Sequence, residues 1–309
     1  EAPDCEWDRP FNGEFYSYTS EGFVSRIDFS NSGFQPLSFT VAFGENGPGN
    51  TGDLIEDRKS VNQGDSTATA ADHQVFVSEP DAILFPSSDT ICGNAELLGI
   101  SCIGDSICIE VGVTQPGVVE VLLDFFGDNE IFDPNTEDVL IARLFEEVDT
   151  ACLIWDKKKG DGSELSFDEE VISVIRYSQG VQHYAAFDVE FLKDGFCVET
   201  VRPVCQGQSN LLYWDDSEIT DFISTPGIDE SDPGTGQPLV QLNGCECGVG
   251  GCRTWDNFQT GADPSNCDGA PAGYGNERTL NTWWYAASIV IGPFDLPVVR
   301  AMAVGDTLI

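Results

Sequence analysis

Four aspartates, Asp124, Asp128, Asp133 and Asp138, recur every four or five residues around one glycine in the segment DFFGDNEIFDPNTED. Carboxylates at that density can wrap oxygen ligands about a Ca2+ ion. A strict EF-hand loop needs oxygen ligands at alternating positions, and Phe126 breaks that pattern. The competing reading is a solvated acidic hairpin loop.

Two segments pair aromatics with polar groups: YWDDS, with Tyr213, Trp214, Asp215 and Asp216, and NTWWYA, with Trp283 and Trp284. Exposed aromatic rings stack on sugar faces and neighbouring carboxylates hold hydroxyls, so these residues form a candidate glycan platform. In a strand, however, consecutive residues face opposite sides, which sends at least one of Trp283 and Trp284 into a core.

Cysteines stand at 5, 92, 102, 108, 152, 197, 205, 245, 247, 252 and 267. This density in a β-rich, Gly-rich chain points to an oxidising compartment, with Cys92, Cys102, Cys108, Cys152, Cys197, Cys205, Cys245, Cys247, Cys252 and Cys267 as disulfide candidates. The count of 11 is odd, which leaves at least one sulfur for a free thiol or a bridge to another chain. GCECGVGGCRTW reads as a disulfide-pinned loop with Cys252 tied to Cys245 or Cys247. Structural zinc needs a CxxC pair answered by a second pair or by histidines, and this sequence offers only CEC and two histidines.

Catalytic signatures are missing from the sequence. It holds no HExxH, GxSxG, GxxxxGK[ST] or GxGxxG before a helix. GDS at Gly104–Ser106 sits between Cys102 and Cys108 in a β-turn pattern. His73 and His183 both lie in strand-like runs, where packing is the default. The acids offer many carboxylate pairs for glycoside hydrolysis, and nothing singles one out. The expectation is a protein that is not an enzyme.

The elements that must position these residues follow from composition. A chain of 309 residues suits two or three β domains of about 100–150 residues each. Its 41% hydrophobic content, with 20 Phe, is enough for real cores. With 53 acidic residues against 14 basic, the net charge of −39 repels nucleic acid phosphates and anionic membranes. The same charge attracts cations or serves solubility in a salty medium. No run of about 18–20 apolar residues is present to insert into a membrane. The polar start at Glu1 reads as a removed leader or a piece of something longer, and the absence of an N-x-S/T sequon favours a bacterial source.

Short apolar or alternating runs between Gly, Pro, Asn and Asp clusters predict strands at Leu37–Phe43, Gln74–Val77, Ile107–Val113, Gly117–Phe125, Val171–Tyr177, Ala185–Phe191 and Ser288–Ile291. Glu137–Glu147 has some helical period, but Val139–Ile141 reads equally well as a strand. The fold class is all-β, with two or three Ig-like β-sandwich domains and disulfide-pinned loops. Punctuation places a first β domain at 1–89, ending in EPDAILFPSSD, an Ig-like sandwich with the acidic loop at 90–201, and a Cys/Trp-rich β domain at 202–309. WDKKKGDG (Trp155–Gly162) reads as a turn with Trp155 packed beneath it.

Several pieces occur together: HQVFVSEPD (His73–Asp81), VEVLLDFFGDNEIFDPNTEDVLI (Val119–Ile141), LIWDKKKGDG (Leu153–Gly162), FDVE (Phe187–Glu190), LYWDDS (Leu212–Ser217), GCRTW (Gly251–Trp255) and YGNERTLNTWWYA (Tyr274–Ala286). Over roughly residues 70–290 the set resembles the β-rich region of large surface proteins of gliding and other Bacteroidota. These carry a gliding-motility-associated C-terminal domain and are exported by the type IX route. The resemblance implies a secreted, cell-surface adhesive or filament-forming role, an FlgD-type Ig-like module at the WD…G.G segment, and a calcium loop in the acidic segment. It supplies no catalytic residue. Expected partners are other copies of the chain, in a fibre or sheath, or a surface polysaccharide. The apolar stretch Ser288–Ile309 adds a strand to a neighbour or closes its own domain.

Overall fold

The computed structural model describes residues 11–32, 34–36, 43–61, 72–126, 130, 132–133, 135–165, 171–187, 189–192, 194–219, 239–247, 252–254 and 279–296. These form β-strands and short 3-10 turns, with no α-helix among the described residues. The ambiguous segment after Glu137 is a strand. The all-β expectation holds.

The chain divides into two compact units. One takes Glu1–Ser88, Gly180–Val204 and Gln208–Ala286, the other Asp89–Gln179, Cys205–Gly207 and Ala287–Ile309. Two strands are long: one of 16 residues, Ile172–Phe187, and one of 17, Thr279–Asp295. Gly180, with φ of +60°, sits within the first; a Cβ there would meet Phe23 and Ala286 at 2.7 and 2.8 Å.

In the first unit, β1 (Glu14–Tyr18), β2 (Val24–Asp28), β5 (Gln74–Phe76) and β13 (Cys197–Arg202) form an antiparallel sheet in the order β13-β2-β1-β5. β3 (Phe34–Pro36) pairs with β12 (Val189–Leu192). β14 (Leu211–Asp215) pairs with β15 (Val240–Glu246) and with β16 (Thr279–Asp295), and β4 (Phe43–Gly44) pairs with β11 (Ile172–Phe187) at His183 and Tyr184. Ile27, Phe29, Phe34, Phe43, Tyr184 and Trp284 are among the buried side chains of its core. Burying a large apolar side chain contributes about 1.5–3 kcal/mol, so this aromatic-rich cluster is the unit's main stabilising element. Gln182 of β11 reaches both Ser17 of β1 and Ser25 of β2, so a buried amide is satisfied by two hydroxyls. On the outer side, Arg26 of β2 pairs with Glu199, directly opposite on β13, at 2.9 Å.

In the second unit, β6 (Ala95–Ile103), β7 (Ser106–Val113) and β10 (Thr150–Trp155) form an antiparallel sheet in the order β10-β7-β6. β8 (Gly117–Asp124) pairs with β9 (Val139–Phe145) and with the Ile172–Ser178 stretch of β11. Alternate residues meet in one core: Ile107, Ile109 and Val111 from β7, Val119, Val121 and Leu123 from β8, Leu153 and Trp155 from β10, Ile175 and Tyr177 from β11. The period of two that made these strands legible is the period that fills the sandwich.

Four disulfides join described residues. Cys92–Cys205 and Cys108–Cys152 lie in the second unit, Cys197–Cys247 and Cys245–Cys252 in the first. Cys252 is therefore tied to Cys245, one of the two partners its spacing allowed. Cys102 is exposed on β6, and Cys5 and Cys267 lie outside the described residues. Disulfides form and persist in oxidising compartments, so the chain belongs in one.

Candidate functional site: a buried ion-pair network and an acidic loop

The first unit draws three separated motifs together. Tyr213, Trp214 and Asp215 end β14, and Asp216 follows at its tip. Asp216 accepts two hydrogen bonds from the Arg253 guanidinium of GCRTW, at 2.5 and 3.1 Å, and a third from Ser60 Oγ at 2.5 Å. Arg253 also donates from Nε to Thr282 Oγ1 at 2.8 Å and to the Asn281 carbonyl at 3.1 Å, both in NTWWYA. Its guanidinium lies 5.1 Å from the Trp214 ring centroid. The Cys245–Cys252 bridge fixes the residue just before Arg253. Asp215 closes its own turn by accepting from the Ser217 amide and hydroxyl.

Asn281 extends the network. Its amide donates to Ser60 Oγ, its side-chain nitrogen donates to the carbonyls of Asp57 and Arg58, and His183 Nδ1 lies 3.0 Å from that nitrogen. Arg58 donates to the Tyr285 hydroxyl at 2.7 Å and sits 5.5 Å from the Trp283 ring centroid. His183 and Tyr213 each stack on Trp283 at 5.9 Å. Full burial, with the Arg58 charge adding to it, pushes the His183 imidazole down to about 3, so the ring is neutral throughout the physiological range.

The glycan platform expected from these aromatics is not formed. Trp214, Trp283 and Trp284 are each 1% exposed and Tyr213 is buried with them, so no ring face is open to a sugar. Trp283 and Trp284 do face opposite sides of β16, and both sides are covered: Trp284 enters the main core, and Trp283 packs with Tyr213 and Tyr285. Asp215 and Asp216 are buried as well, with Asp215 Oδ1 and both carboxylate oxygens of Asp216 engaged as above. Spacing alone could show the alternation of the two tryptophans. It could not show that the second face is covered, because Arg58 and its loop lie more than 200 residues away in sequence.

The acidic loop, in the second unit, joins β8 to β9. Asp138 Oδ1 accepts from the Phe125 and Phe126 amides at 2.8 Å each, and Oδ2 from the Asp133 amide at 2.9 Å. Asp124 Oδ2 accepts from the Glu130 amide at 2.8 Å. Burial raises the Asp138 carboxyl above the usual carboxylate range against the pull of its three amides, and the nearby Asp124 charge adds to the rise. Asp128 lies outside the described residues. Two neighbouring buried carboxylates are the start of an oxygen donor set, but no group of three or more metal-ligating side chains gathers among the described residues.

WDKKKGDG docks on this loop. The Gly160 amide donates to the Glu137 carbonyl at 2.8 Å, and Lys159 Nζ meets the Glu137 carboxylate at 3.1 Å. Gly160 must be glycine: a Cβ would lie 2.1 Å from the Asp138 carbonyl oxygen. Trp155 is buried beneath the turn and donates from Nε1 to the Lys158 carbonyl at 2.7 Å.

In both places the carboxylates hold amides, hydroxyls or a guanidinium that belong to the fold itself. The chemistry this supports is stapling of loops. The architecture is a disulfide-bonded protein of two β units. Family models, curated proteins and solved structures give no match to the chain.

Proposed function

We propose that this chain is an extracellular structural or adhesive protein of a cell surface, acting by binding and assembly rather than by catalysis. The observation that carries the reading is the fate of its most distinctive residues. YWDDS, GCRTW and NTWWYA meet in one buried network, which secures long loops and leaves function to the outer surface. Secretion is supported by the four disulfides. The odd cysteine count and the resemblance to Bacteroidota surface proteins support assembly into a fibre or sheath. Electron microscopy and light scattering of the purified chain test this: filaments or higher oligomers are expected, and a strictly monodisperse monomer at all concentrations overturns the fibre.

A second reading, cation binding at the acidic loop, is favoured by the closeness of buried Asp124 and Asp138. Calcium would bridge their charge, and its test is a calcium-dependent rise in melting temperature that Asp124→Asn removes.

A further inference from the structure

The turn Asp81–Phe85 in the first unit holds two large aliphatic side chains in solvent on a fixed backbone. Ile83 is 88% exposed and Leu84 74%. Exposed single aliphatics are ordinary; here two stand side by side on a tied backbone. Asp81 Oδ1 accepts from the amides of Ile83 and Leu84 at 2.8 and 3.2 Å, and the Asp81 carbonyl accepts from the Phe85 amide at 2.8 Å. Phe85 turns inward against Phe76 and Tyr18, with ring centroids 4.7 and 5.5 Å away. From behind, Arg202 of β13 donates to the Phe85 and Pro80 carbonyls at 2.6 and 2.5 Å. Tyr18 donates to the Pro86 carbonyl at 2.9 Å, and Ser87 to the Gly22 carbonyl at 2.6 Å. Each flank of the Ile83–Leu84 pair is anchored, so the ordering cost of presenting it is met before any partner arrives.

The charge around the pair selects the partner. Next to the pair in sequence stand Glu79 and Asp81, no lysine or arginine occurs from Asp72 to Ser88, and Arg202 is turned to backbone carbonyls and Glu79. We infer that Ile83 and Leu84 are a docking knob for a partner protein whose apolar pocket is rimmed by basic side chains. A second copy seated on this knob would set an acidic surface against Glu79 and Asp81, so contacts between copies in a fibre belong to other surfaces. A lipid surface is matched by aliphatics flanked with Lys or Arg, the opposite of this rim. The inference refines the adhesive side of the function proposed above.

The test is selection of a phage-displayed random peptide library on the wild-type protein, with enriched peptides re-measured on the Ile83→Ser/Leu84→Ser double variant. Both side chains lie in solvent, so the variant should keep the wild-type melting temperature; the single variant Leu84→Ser provides a second, milder reading. Enriched peptides are expected to combine apolar residues with Lys or Arg, to bind the double variant at least tenfold more weakly, and to weaken with salt. No enrichment, or equal binding to wild type and variant, overturns the inference. So does a wild-type dimer that the variant abolishes, which assigns the knob to a second copy, or variant-sensitive binding to phosphatidylcholine vesicles, which assigns it to lipid. Filament formation is scored separately on wild type by microscopy, so the two readings fail independently.

Discussion

Asp216 and Arg253, 37 positions apart, form a two-point ion pair in which the arginine side chain is 3% exposed and the aspartate 12%. Beyond each other, their side chains bond to Ser60 and to Asn281 and Thr282 of NTWWYA. Removing one partner strands the other as a buried charge, which costs about 3–5 kcal/mol, whereas replacing both with apolar groups of similar volume costs far less. Arg253→Met and Asp216→Leu should each lower the stability of the chain by that amount in urea denaturation, and the double variant should recover much of the loss. Simple additivity of the two single effects would show that the pair is not coupled.

This pair also marks the limit of what sequence pattern can reach. The β-branched runs Ile107–Val113, Gly117–Phe125 and Val171–Tyr177 could be read as strands because alternate residues fill one core, and β7, β8 and β11 sit there. β1 and β2, EFYSY and VSRID, carry too many polar residues to stand out, since their outer face holds pairs such as Arg26–Glu199. The stretch SQGVQHY broke the pattern at Gly180, yet β11 continues through it. β16 is longer still, at 17 residues. Long-range partners leave no local trace, so YWDDS and NTWWYA looked like an open platform until Arg253 and Arg58 were placed over the rings.

The acidic loop makes a separate prediction. Asp138 holds three amides across its two oxygens. Asp138→Ala leaves them without that acceptor and should cost about 2–3 kcal/mol, because unsatisfied buried donors are each expensive. Asp138→Asn keeps one good acceptor and should cost less. Hydrogen exchange should localise the damage, with the amides of Phe125, Phe126 and Asp133 losing protection in the alanine variant. Gly160→Ala should open the same amides from the other side, by driving a Cβ into the Asp138 carbonyl.

The disulfide Cys92–Cys205 closes a loop across a sequence separation of 113. Loop-closure entropy for a span of this size is worth about 4–5 kcal/mol in the chain-entropy model. The Cys92→Ser/Cys205→Ser variant should therefore be among the least stable in this series. Cys245–Cys252 spans only 7 positions and its removal should cost less in stability. It should instead release Arg253, visible as lost coupling in the Asp216–Arg253 cycle measured in that background.

His183 sets a pH dependence whose sign is fixed by its burial. The folded imidazole is pushed from the ordinary 6.5 down to about 3, by burial first and the Arg58 charge second. Between those values the unfolded chain binds a proton that the folded chain refuses, so stability falls as the pH is lowered through this window. The loss between pH 7 and pH 4 is on the order of 3 kcal/mol from this one residue. Denaturation curves across that range should show His183→Gln with a shallower slope than wild type, even if the variant is less stable at pH 7 for want of its stacking on Trp283. The imidazole C2 proton of His183 should hold one chemical shift from pH 8 to pH 5. A titration midpoint near 6.5 would place the ring in water and contradict the closed network around Asn281.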